Sequence, residues 1–343
     1  MLTLPPFEYH APSDLDGVLE LLVRHRGDAK LIAGGTDLLP NLKHRLLSPS
    51  HLVGLRRVAG LSGIGVDQGG LRIGARTAIE TVAAHPAVLE RAPSLAEAAS
   101  RIASPQIRRM GTLGGNLCLD TRCAFYNQTH FWRSALGFCL KKDGERCHVV
   151  PGGTRCVAAA SSDTAPVLVS LGAFALIAGP GGPRKLALED LYRPDGAHPL
   201  ALAEDELLVE VRVPPPEGRV VAGYQKLRAR QSIDFPLLSV AVAASLDAEG
   251  RICWIRVVLS ALSARPHLVQ GLAPLLGARL DGAAVEAAAA AAYKQAHPLP
   301  NVNADATWRR EVVPILVRRA FATATSAGAT PGTPAPARAP RAR

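Results

Sequence analysis

KLIAGGTDLLPNLK, residues 30–43, contains the turn that most constrains the fold. The apolar run KLI indicates a strand and LLPNLK a short helix, so Ala33-Gly34-Gly35-Thr36-Asp37 joins a strand to a helix. Adjacent glycines allow a tight turn that brings backbone N–H groups against an anion, and the start of a helix adds its positive dipole end. The turn is a candidate phosphate site, although a plain structural turn is the commoner role of such a pair.

A second glycine turn, Gly111-Thr112-Leu113-Gly114-Gly115-Asn116, follows the basic stretch Ile107-Arg108-Arg109. Neither turn reads G-x-G-x-x-G, and no acidic residue ends a second strand at the expected distance, which argues against an ordinary Rossmann domain. Two Gly-Gly turns in one α/β region can instead hold a pyrophosphate from both sides. Spacing alone leaves this as a hypothesis.

The segments around these turns predict an α+β fold. A helix is indicated in LDGVLELLVRH, strands in HLVGLRRV and GLRIGA, and a proline-interrupted helical region in residues 77–103, with Thr77 and Ser94 as N-caps. Further along, the apolar stretch 237–266 indicates a hairpin, and residues 283–296 and 307–325 indicate helices.

The prolines at 214–216 mark an internal boundary, because a proline run stops a strand. We therefore expect a first domain over residues 1–216 and a C-terminal α+β domain over residues 217–325. From Ser326 the composition collapses to Ala, Pro, Gly, Thr and Arg. Such a segment buries too little apolar surface to fold, so residues 326–343 are predicted to be a disordered basic tail.

The net charge of +10 does not indicate a nucleic-acid binder, because part of it lies in the tail and the other Lys and Arg are scattered. No apolar run approaches the ~18–20 residues that span a bilayer, so no membrane span is expected. The N-terminus lacks a basic n-region and a long apolar h-region, and we expect a cytoplasmic protein.

Five of the six cysteines fall within one short stretch, from Cys118 to Cys156, while Cys253 stands alone in an apolar run. In a reducing compartment such a group is more easily read as metal ligands than as disulfides. Four of them could coordinate zinc or an iron–sulfur cluster, since both take four thiolates, but Cys123, Cys139, Cys147 and Cys156 contain none of the short C-x2–4-C pairs typical of zinc. Cys118 is predicted to be a small buried structural residue and Cys253 a core residue.

Four motifs in order resemble the flavin subunits of molybdenum hydroxylases, including the medium chain of carbon monoxide dehydrogenase and the FAD domain of xanthine dehydrogenase. They are LIAGGTDL (31–38), RRMGTLGGNL (108–117), SSDTAPVLVSLGA (161–173) and YQKLRARQSIDFPLLSVAVA (224–243). The resemblance implies that residues 1–216 are a PCMH-type FAD-binding domain of two α/β subdomains, followed by an α+β domain that closes over the flavin. Ordinary members lack the roughly 40 residues between the second and third motifs, so the resemblance also implies an insert at about 119–160.

The residues implied to bind FAD follow from these motifs. The resemblance assigns the ribose to Asp163, which could otherwise be a helix N-cap, and places Lys226 near the flavin. The residues that it assigns to the diphosphate are Ile32, Ala33, Gly34, Gly35, Thr36 and Asp37 in the first turn and Thr112, Leu113, Gly114, Gly115 and Asn116 in the second.

The spacing of Cys123, Cys139, Cys147 and Cys156 is similar to that in the cluster-binding insert of 4-hydroxybenzoyl-CoA reductase β subunits. That resemblance implies that these four cysteines are metal ligands of a [4Fe-4S] cluster. Five of the 15 aromatic residues fall between the first two, which suits a cluster shielded from water.

The same resemblance implies a complex with a molybdenum-cofactor subunit and a [2Fe-2S] subunit, as a heterotrimer that dimerises. Reduced ferredoxin would donate electrons, which pass through the [4Fe-4S] cluster and FAD to molybdenum for the reductive dehydroxylation of 4-hydroxybenzoyl-CoA to benzoyl-CoA. No catalytic residue is expected on this chain. The alternatives are the FAD subunit of a xanthine, aldehyde or carbon monoxide dehydrogenase type of enzyme, and a non-enzymatic zinc-stapled assembly protein.

An insert of about 40 residues could stand on the surface, where a small electron donor could dock. Arg133, Lys141, Lys142 and Arg146 are predicted to attract an acidic ferredoxin, although a solvated charged loop would look the same.

Overall fold

The computed structural model describes residues 2–326, which form three sheets with helices packed on them. The predicted α+β class is confirmed. The predicted disordered tail, 326–343, lies outside the described residues except for Ser326, which ends a helix. In the part of the chain that is described, no helix is long and apolar enough to cross a membrane.

A three-stranded parallel sheet carries the first glycine turn. Its strands β1 (Glu8–His10), β2 (Ala29–Ile32) and β3 (His51–Gly54) lie in the order β1-β3-β2, joined by helices α1 (Leu15–Arg24) and α2 (Leu38–Lys43). Val18 and Leu22 lie one turn apart on α1, and both pack against Val53. Residues 33–37 therefore leave the carboxyl end of β2 and enter α2, as the sequence predicts.

A five-stranded antiparallel sheet forms the middle of the molecule, in the order β4-β5-β8-β6-β7. Its strands are β4 (Ile64–Asp67), β5 (Gly70–Gly74), β6 (Phe174–Ala178), β7 (Arg184–Ala187) and β8 (Leu207–Val213). The helices of this part of the chain are α3 (Ile79–Ala84), α4 (Pro86–Arg91), α5 (Pro93–Ser100), α6 (Pro105–Met110), α7 (Leu113–Leu117), α8 (His130–Ala135) and α9 (Thr164–Ser170).

The predicted N-caps Thr77 and Ser94 are wrong. Ala78 holds the cap position of α3, and the Thr77 hydroxyl accepts a hydrogen bond from the N–H of Gly63 at 3.0 Å instead. In α5 the first residue is Pro93, whose fixed φ suits the first turn of a helix, so α5 begins before Ser94.

The C-terminal region is an antiparallel sheet in the order β12-β11-β10-β9 with two helices. Its elements are β9 (Arg219–Leu227), β10 (Leu238–Leu246), β11 (Ile252–Ser260), β12 (His267–Leu268), α10 (Gly282–Gln295) and α11 (Ala306–Ser326). The predicted hairpin is β10–β11. Every residue of β10 is buried, because Val240 faces the core with α11 while Ala241 faces the core of the middle sheet.

Residues 119–160, which we call the insert, contact the N-terminal part of the chain at Arg45 and the C-terminal part at Asn301. An antiparallel bridge closes their base, with N–H···O bonds of 2.8 and 2.7 Å between Arg122 and Ala159. The Arg133 guanidinium donates to the carbonyl oxygen of Arg45 at 2.9 Å, and the N–H of Ala124 donates to the carbonyl oxygen of Asn301 at 2.8 Å. The insert is therefore bound to the N-terminal and C-terminal parts of the chain and does not project from the molecule.

Candidate functional site

The two glycine turns lie directly against each other. A Cβ on Gly34 would lie 1.8 Å from the carbonyl oxygen of Met110, so only glycine permits this approach. Gly35 has a φ of +70°, in the left-handed region that side chains disfavour. Glycine is therefore required at position 34 because the backbone of Met110 lies so close, and at position 35 because the backbone is left-handed.

The two turns differ in how their backbone N–H groups are used. In the second turn the N–H of Gly114 donates to the carbonyl oxygen of Ala75 at 2.7 Å, and the N–H of Gly115 donates to Oγ1 of Thr112 at 3.1 Å. Within residues 2–326 the N–H groups of residues 35–38 have no protein acceptor. The first turn therefore offers consecutive free donors at the start of a helix, the arrangement that binds phosphate.

A cavity of about 900 Å³ opens between the turns and is large enough for a cofactor. Of the predicted FAD residues, Leu113 and Lys226 do not line it, since Leu113 is fully buried in the core. The predicted residues that do line it are Ile32, Ala33, Gly34, Gly35, Thr36, Asp37, Thr112, Gly114, Gly115, Asn116 and Asp163.

Asn116 ties the second turn to the start of α9. Its side-chain oxygen accepts hydrogen bonds from the hydroxyls of Ser162 at 2.8 Å and Thr164 at 2.6 Å. This network brings Asp163 to the cavity although it is 47 positions from Asn116 in sequence. The long excursion of the insert therefore begins and ends beside the same wall of the cavity.

Asp163 is part of a buried polar group rather than a helix cap. Its carboxylate accepts from the Tyr224 hydroxyl at 2.6 Å and from the Lys226 ammonium at 2.8 Å, and it makes no cap hydrogen bond. Burial raises the pKa of Asp163, while the Lys226 ammonium opposes that rise. Lys226 is thus placed behind Asp163, one layer away from the cavity surface.

Arg122 connects the insert to the first glycine turn. Its guanidinium forms an ion pair with the carboxylate of Asp37, which also accepts from the side-chain amide of Asn41 at 3.1 Å. Burial raises the pKa of Asp37, and the Arg122 charge opposes the rise. An acidic side chain would repel a phosphate, and the paired Arg122 charge offsets that repulsion at the first turn.

The cavity fits a diphosphate-containing cofactor such as FAD. In addition to the free N–H groups, the Nε atoms of Arg76 and Arg122 are buried without an acceptor in the described chain, and both residues line the cavity. A buried guanidinium N–H without an acceptor costs free energy, which an anionic ligand would recover.

The four clustered cysteines predicted as metal ligands line one separate pocket in the insert. Cys123, Cys139 and Cys156 are buried, and Cys147 is half-buried. The backbone N–H groups of Val150 and Ala158 donate to the sulfurs of Cys147 and Cys156, each at 3.4 Å. Burial raises the pKa of Cys156 to about 11, and burial likewise raises that of Cys123. Thiolates here would therefore need a positive partner such as metal ions.

The sulfurs are too far apart to surround one ion. In the described chain no three of the four lie within 4.8 Å of one another, whereas tetrahedral zinc with Zn–S bonds of ~2.3 Å sets its sulfurs ~3.8 Å apart. A multi-iron cluster is wider than a single ion and suits a wider set of thiols. Four thiols around one pocket could therefore hold a cluster of several metal ions.

Lys141 and Tyr126 line both the cysteine pocket and the large cavity. The Lys141 ammonium donates to Asp120 Oδ1 at 2.6 Å and to the carbonyl oxygen of Gly196 at 2.7 Å, and it lies 4.5 Å from the Tyr126 ring centroid. Its side chain is only 4% exposed. The Lys141 side chain therefore forms part of the layer that separates the cysteine pocket from the large cavity.

This burial corrects the predicted docking surface for ferredoxin. Arg133 and Lys141 have side-chain exposures of 1% and 4%, so neither can contact a protein partner. Of the four positive residues, only Lys142 and Arg146 reach the surface.

The two remaining cysteines both lie outside the cysteine pocket but differ from each other. Cys118 packs partly against the core of the middle sheet, and burial raises the pKa of its thiol to about 12. Cys253 is exposed, so its prediction as a core residue is wrong. It lies near the start of β11, in an apolar run of which this position faces outward.

Comparison with known proteins identifies the fold. Residues 5–216 match the family described as the FAD binding domain in molybdopterin dehydrogenase, and residues 222–324 match the CO dehydrogenase flavoprotein C-terminal domain. The carbon monoxide dehydrogenase medium chain of Hydrogenophaga pseudoflava is 30% identical over 92% of this chain and 96% of its own length. The aldehyde oxidoreductase FAD-binding subunit PaoB of Escherichia coli is 38% identical over 65% of this chain and 73% of its own.

A solved structure agrees with these sequence matches. Carbon monoxide dehydrogenase from Hydrogenophaga pseudoflava contains a chain that superimposes with a TM-score of 0.78 at 28% identity, over 95% of this chain and 99% of that one. The matches cover the parallel sheet, the cavity and the C-terminal region together. The chain belongs to the FAD-binding medium subunits of the molybdenum hydroxylase family.

Proposed function

We propose that this chain is an electron-transfer subunit that binds FAD in the large cavity and a [4Fe-4S] cluster on Cys123, Cys139, Cys147 and Cys156. The observation that carries the proposal is the shared wall between the two sites, which Tyr126 and Lys141 form. Two redox groups on either side of one layer of side chains are close enough to exchange electrons.

The residues of the cavity divide into distinct roles. The free N–H groups of residues 35–38 would bind the diphosphate, with Gly34 and the second turn, 111–116, allowing the close approach. Asp163 would accept from ribose hydroxyls, because a carboxylate has about four acceptor positions and two are taken by Tyr224 and Lys226. Bound FAD would supply a carrier that exchanges electrons singly or in pairs.

Similarity over most of the chain supports a further proposal about assembly. Relatives are named as the medium chain or FAD-binding subunit of larger enzymes. We propose that this chain pairs with a molybdenum-cofactor subunit and a [2Fe-2S] subunit in a heterotrimer that dimerises. The proposed domains are 1–216, with the insert at 119–160, and 217–325, and the two family matches support this division.

Cluster content can be tested by iron and acid-labile sulfide analysis of the anaerobically purified chain. Cys139→Ala should lose most of the ~4 iron and sulfide of a [4Fe-4S] cluster, because Cys139 is buried in the pocket. Cys253→Ala is the matched control, since Cys253 is exposed on a different sheet. Zinc without sulfide in the wild-type protein, or full iron in Cys139→Ala, would contradict the proposal.

For the reaction of the whole complex we propose the reductive dehydroxylation of 4-hydroxybenzoyl-CoA to benzoyl-CoA with ferredoxin as donor, which the cysteine spacing of the insert supports. The 38% identity to an aldehyde oxidoreductase subunit favours a second candidate, aldehyde oxidation. The purified complex should be assayed with 4-hydroxybenzoyl-CoA plus a low-potential reductant and, separately, with aromatic aldehydes plus an acceptor dye. Turnover of aldehydes alone would reject the first reaction and leave the electron-transfer role intact.

A further inference from the structure

Three imidazoles meet on one face of the parallel sheet, beside its edge strand β1. His10 ends β1, His51 begins β3, and His25 follows the last residue of α1. One nitrogen of each ring lies within 4.8 Å of the other two. Within residues 2–326 this is the only such group of three among His, Cys, Asp and Glu.

The backbone fixes this arrangement. Glu8 pairs with His51 in the parallel ladder, and Glu8 and His10 are two residues apart, so all three side chains emerge on one face. His25 is held at the end of α1 by a 3.0 Å bond from its N–H to the carbonyl oxygen of Leu21. Three separate elements thus deliver one imidazole each to the same point.

The distances suit a metal ion. The Nε2 of His10 lies 3.0 Å from the Nδ1 of His51, and the Glu8 carboxylate lies 3.6 Å from the same His51 nitrogen and 3.8 Å from Nδ1 of His10. Tetrahedral zinc with Zn–N bonds of ~2.0–2.1 Å separates its nitrogens by ~3.3–3.4 Å, and the stacked rings of His25 and His51 must rotate apart for each to direct a nitrogen at one ion. A plain hydrogen bond between His10 and His51 would give His25, stacked at 3.7 Å on His51, no polar partner.

We propose that His10, His25 and His51 bind one divalent transition-metal ion of the zinc class, with Glu8 or water in the fourth position. Neutral imidazoles prefer zinc, copper and nickel over hard cations, and three histidines with one open position are an established zinc-binding set. The Glu8 side chain is 66% exposed and free to swing towards the ion.

The site is separate from the redox sites. None of the three histidines lines the FAD cavity or the cysteine pocket. In the register of the sheet His51 is aligned with Ala29 and His10 with Val53, and both positions precede the glycine turn, which leaves β2 after Ile32. The ion would therefore act as a clamp on β1, α1 and β3, the scaffold that holds the phosphate-binding turn.

The test is a calorimetric titration of the cofactor-loaded full chain with ZnCl2 after EDTA treatment, together with thermal melting at each zinc concentration. His25→Ala and His51→Ala should bind zinc about tenfold or more weakly, and zinc should raise the Tm of the wild type but not of these variants. His297→Ala is the matched control, since His297 is exposed in the C-terminal region. It should titrate as the wild type does.

A further variant distinguishes zinc binding at the three histidines from zinc binding by thiols. Cys139→Ala should retain the histidine-dependent binding step, because its pocket is remote from the three rings. Should His51→Ala fail to fold, His25→Asn still reports, as His25 lies outside the sheet. Identical titrations of the wild type and both His25 variants, or no zinc binding by the wild type, would overturn the proposal.

Discussion

Gly35 differs from the left-handed Gly277 because its turn faces the cavity. Gly35 and Gly277 have φ values of +70° and +79°, so valine should cost each a similar roughly 1–2 kcal/mol of backbone strain. Only Gly35 lies beside the free N–H donors of residues 35–38. Gly35→Val is expected to bind FAD at least tenfold more weakly, and Gly277→Val to bind it normally, as measured by flavin fluorescence during reconstitution. Equal flavin affinity in both variants would show that the turn is only structural.

Asp163 and Lys226 form an ion pair with side-chain exposures of 5% and 1%. Lys226→Met leaves a buried carboxylate whose remaining partner is the Tyr224 hydroxyl, and this should lower the free energy of unfolding by about 3–5 kcal/mol. The double variant Asp163→Asn/Lys226→Met should lose much less, because the Asn oxygen still accepts from Tyr224. Urea unfolding of the wild type, Lys226→Met, Asp163→Asn and the double variant gives the coupling energy. Additive losses would mean that the two charges do not interact.

At the scale of elements, the local sequence pattern is sufficient to predict a helix or strand wherever one of its faces is apolar. The α1 helix and the strand-turn-helix around Gly34 follow from periodicity and glycine placement. Cap positions did not follow, because Pro93 sets where α5 begins and Thr77 is used by Gly63. The exposure of Cys253 also did not follow, since an apolar run does not reveal which of its residues faces outward on a sheet.

The insert carries a charged side chain, Lys141, that is buried between the two proposed redox sites. Lys141 lies between the two proposed redox sites and is 4% exposed, whereas Lys142 is 37% exposed and pairs with Asp143 at 3.1 Å. Reduction adds a negative charge to a cluster, and a nearby buried cation stabilises that charge. Lys141→Met should therefore lower the reduction potential of the proposed cluster, and Lys142→Met should leave it nearly unchanged.

An anaerobic redox titration followed by electron paramagnetic resonance measures both potentials. Iron content of each variant must be matched first, because Lys141 also anchors the insert through Asp120 and Gly196. A wild-type potential in iron-replete Lys141→Met would assign this lysine to folding alone.

At the scale of the whole molecule, the site depends on pairs that are distant in sequence. Asp37 with Arg122, Asn116 with Thr164, and Asp163 with Lys226 each join different regions of the chain. Periodicity and motif spacing identify the individual residues but contain no information on which of them touch. The glycine turns and cysteines could therefore be predicted, whereas the role of Arg122 and the burial of Lys141 could not.

These pairs also predict that the two proposed cofactors bind cooperatively. The insert contacts the phosphate-binding turn through Arg122 and Asp37, and Lys141 lines both sites, so ordering the cysteine pocket should also order a wall of the FAD cavity. A coupling free energy of ~1–3 kcal/mol corresponds to a ~5- to 150-fold change in affinity.

We expect Cys139→Ala to bind FAD at least fivefold more weakly than the wild type, and Cys253→Ala to bind it equally well, in equilibrium dialysis of the flavin-stripped proteins. Because coupling is reciprocal, flavin-stripped wild type should also lose iron faster to a chelator than the flavin-loaded protein. Equal FAD affinity in all three proteins, with iron loss independent of flavin, would show that the insert and the flavin site fold and bind independently.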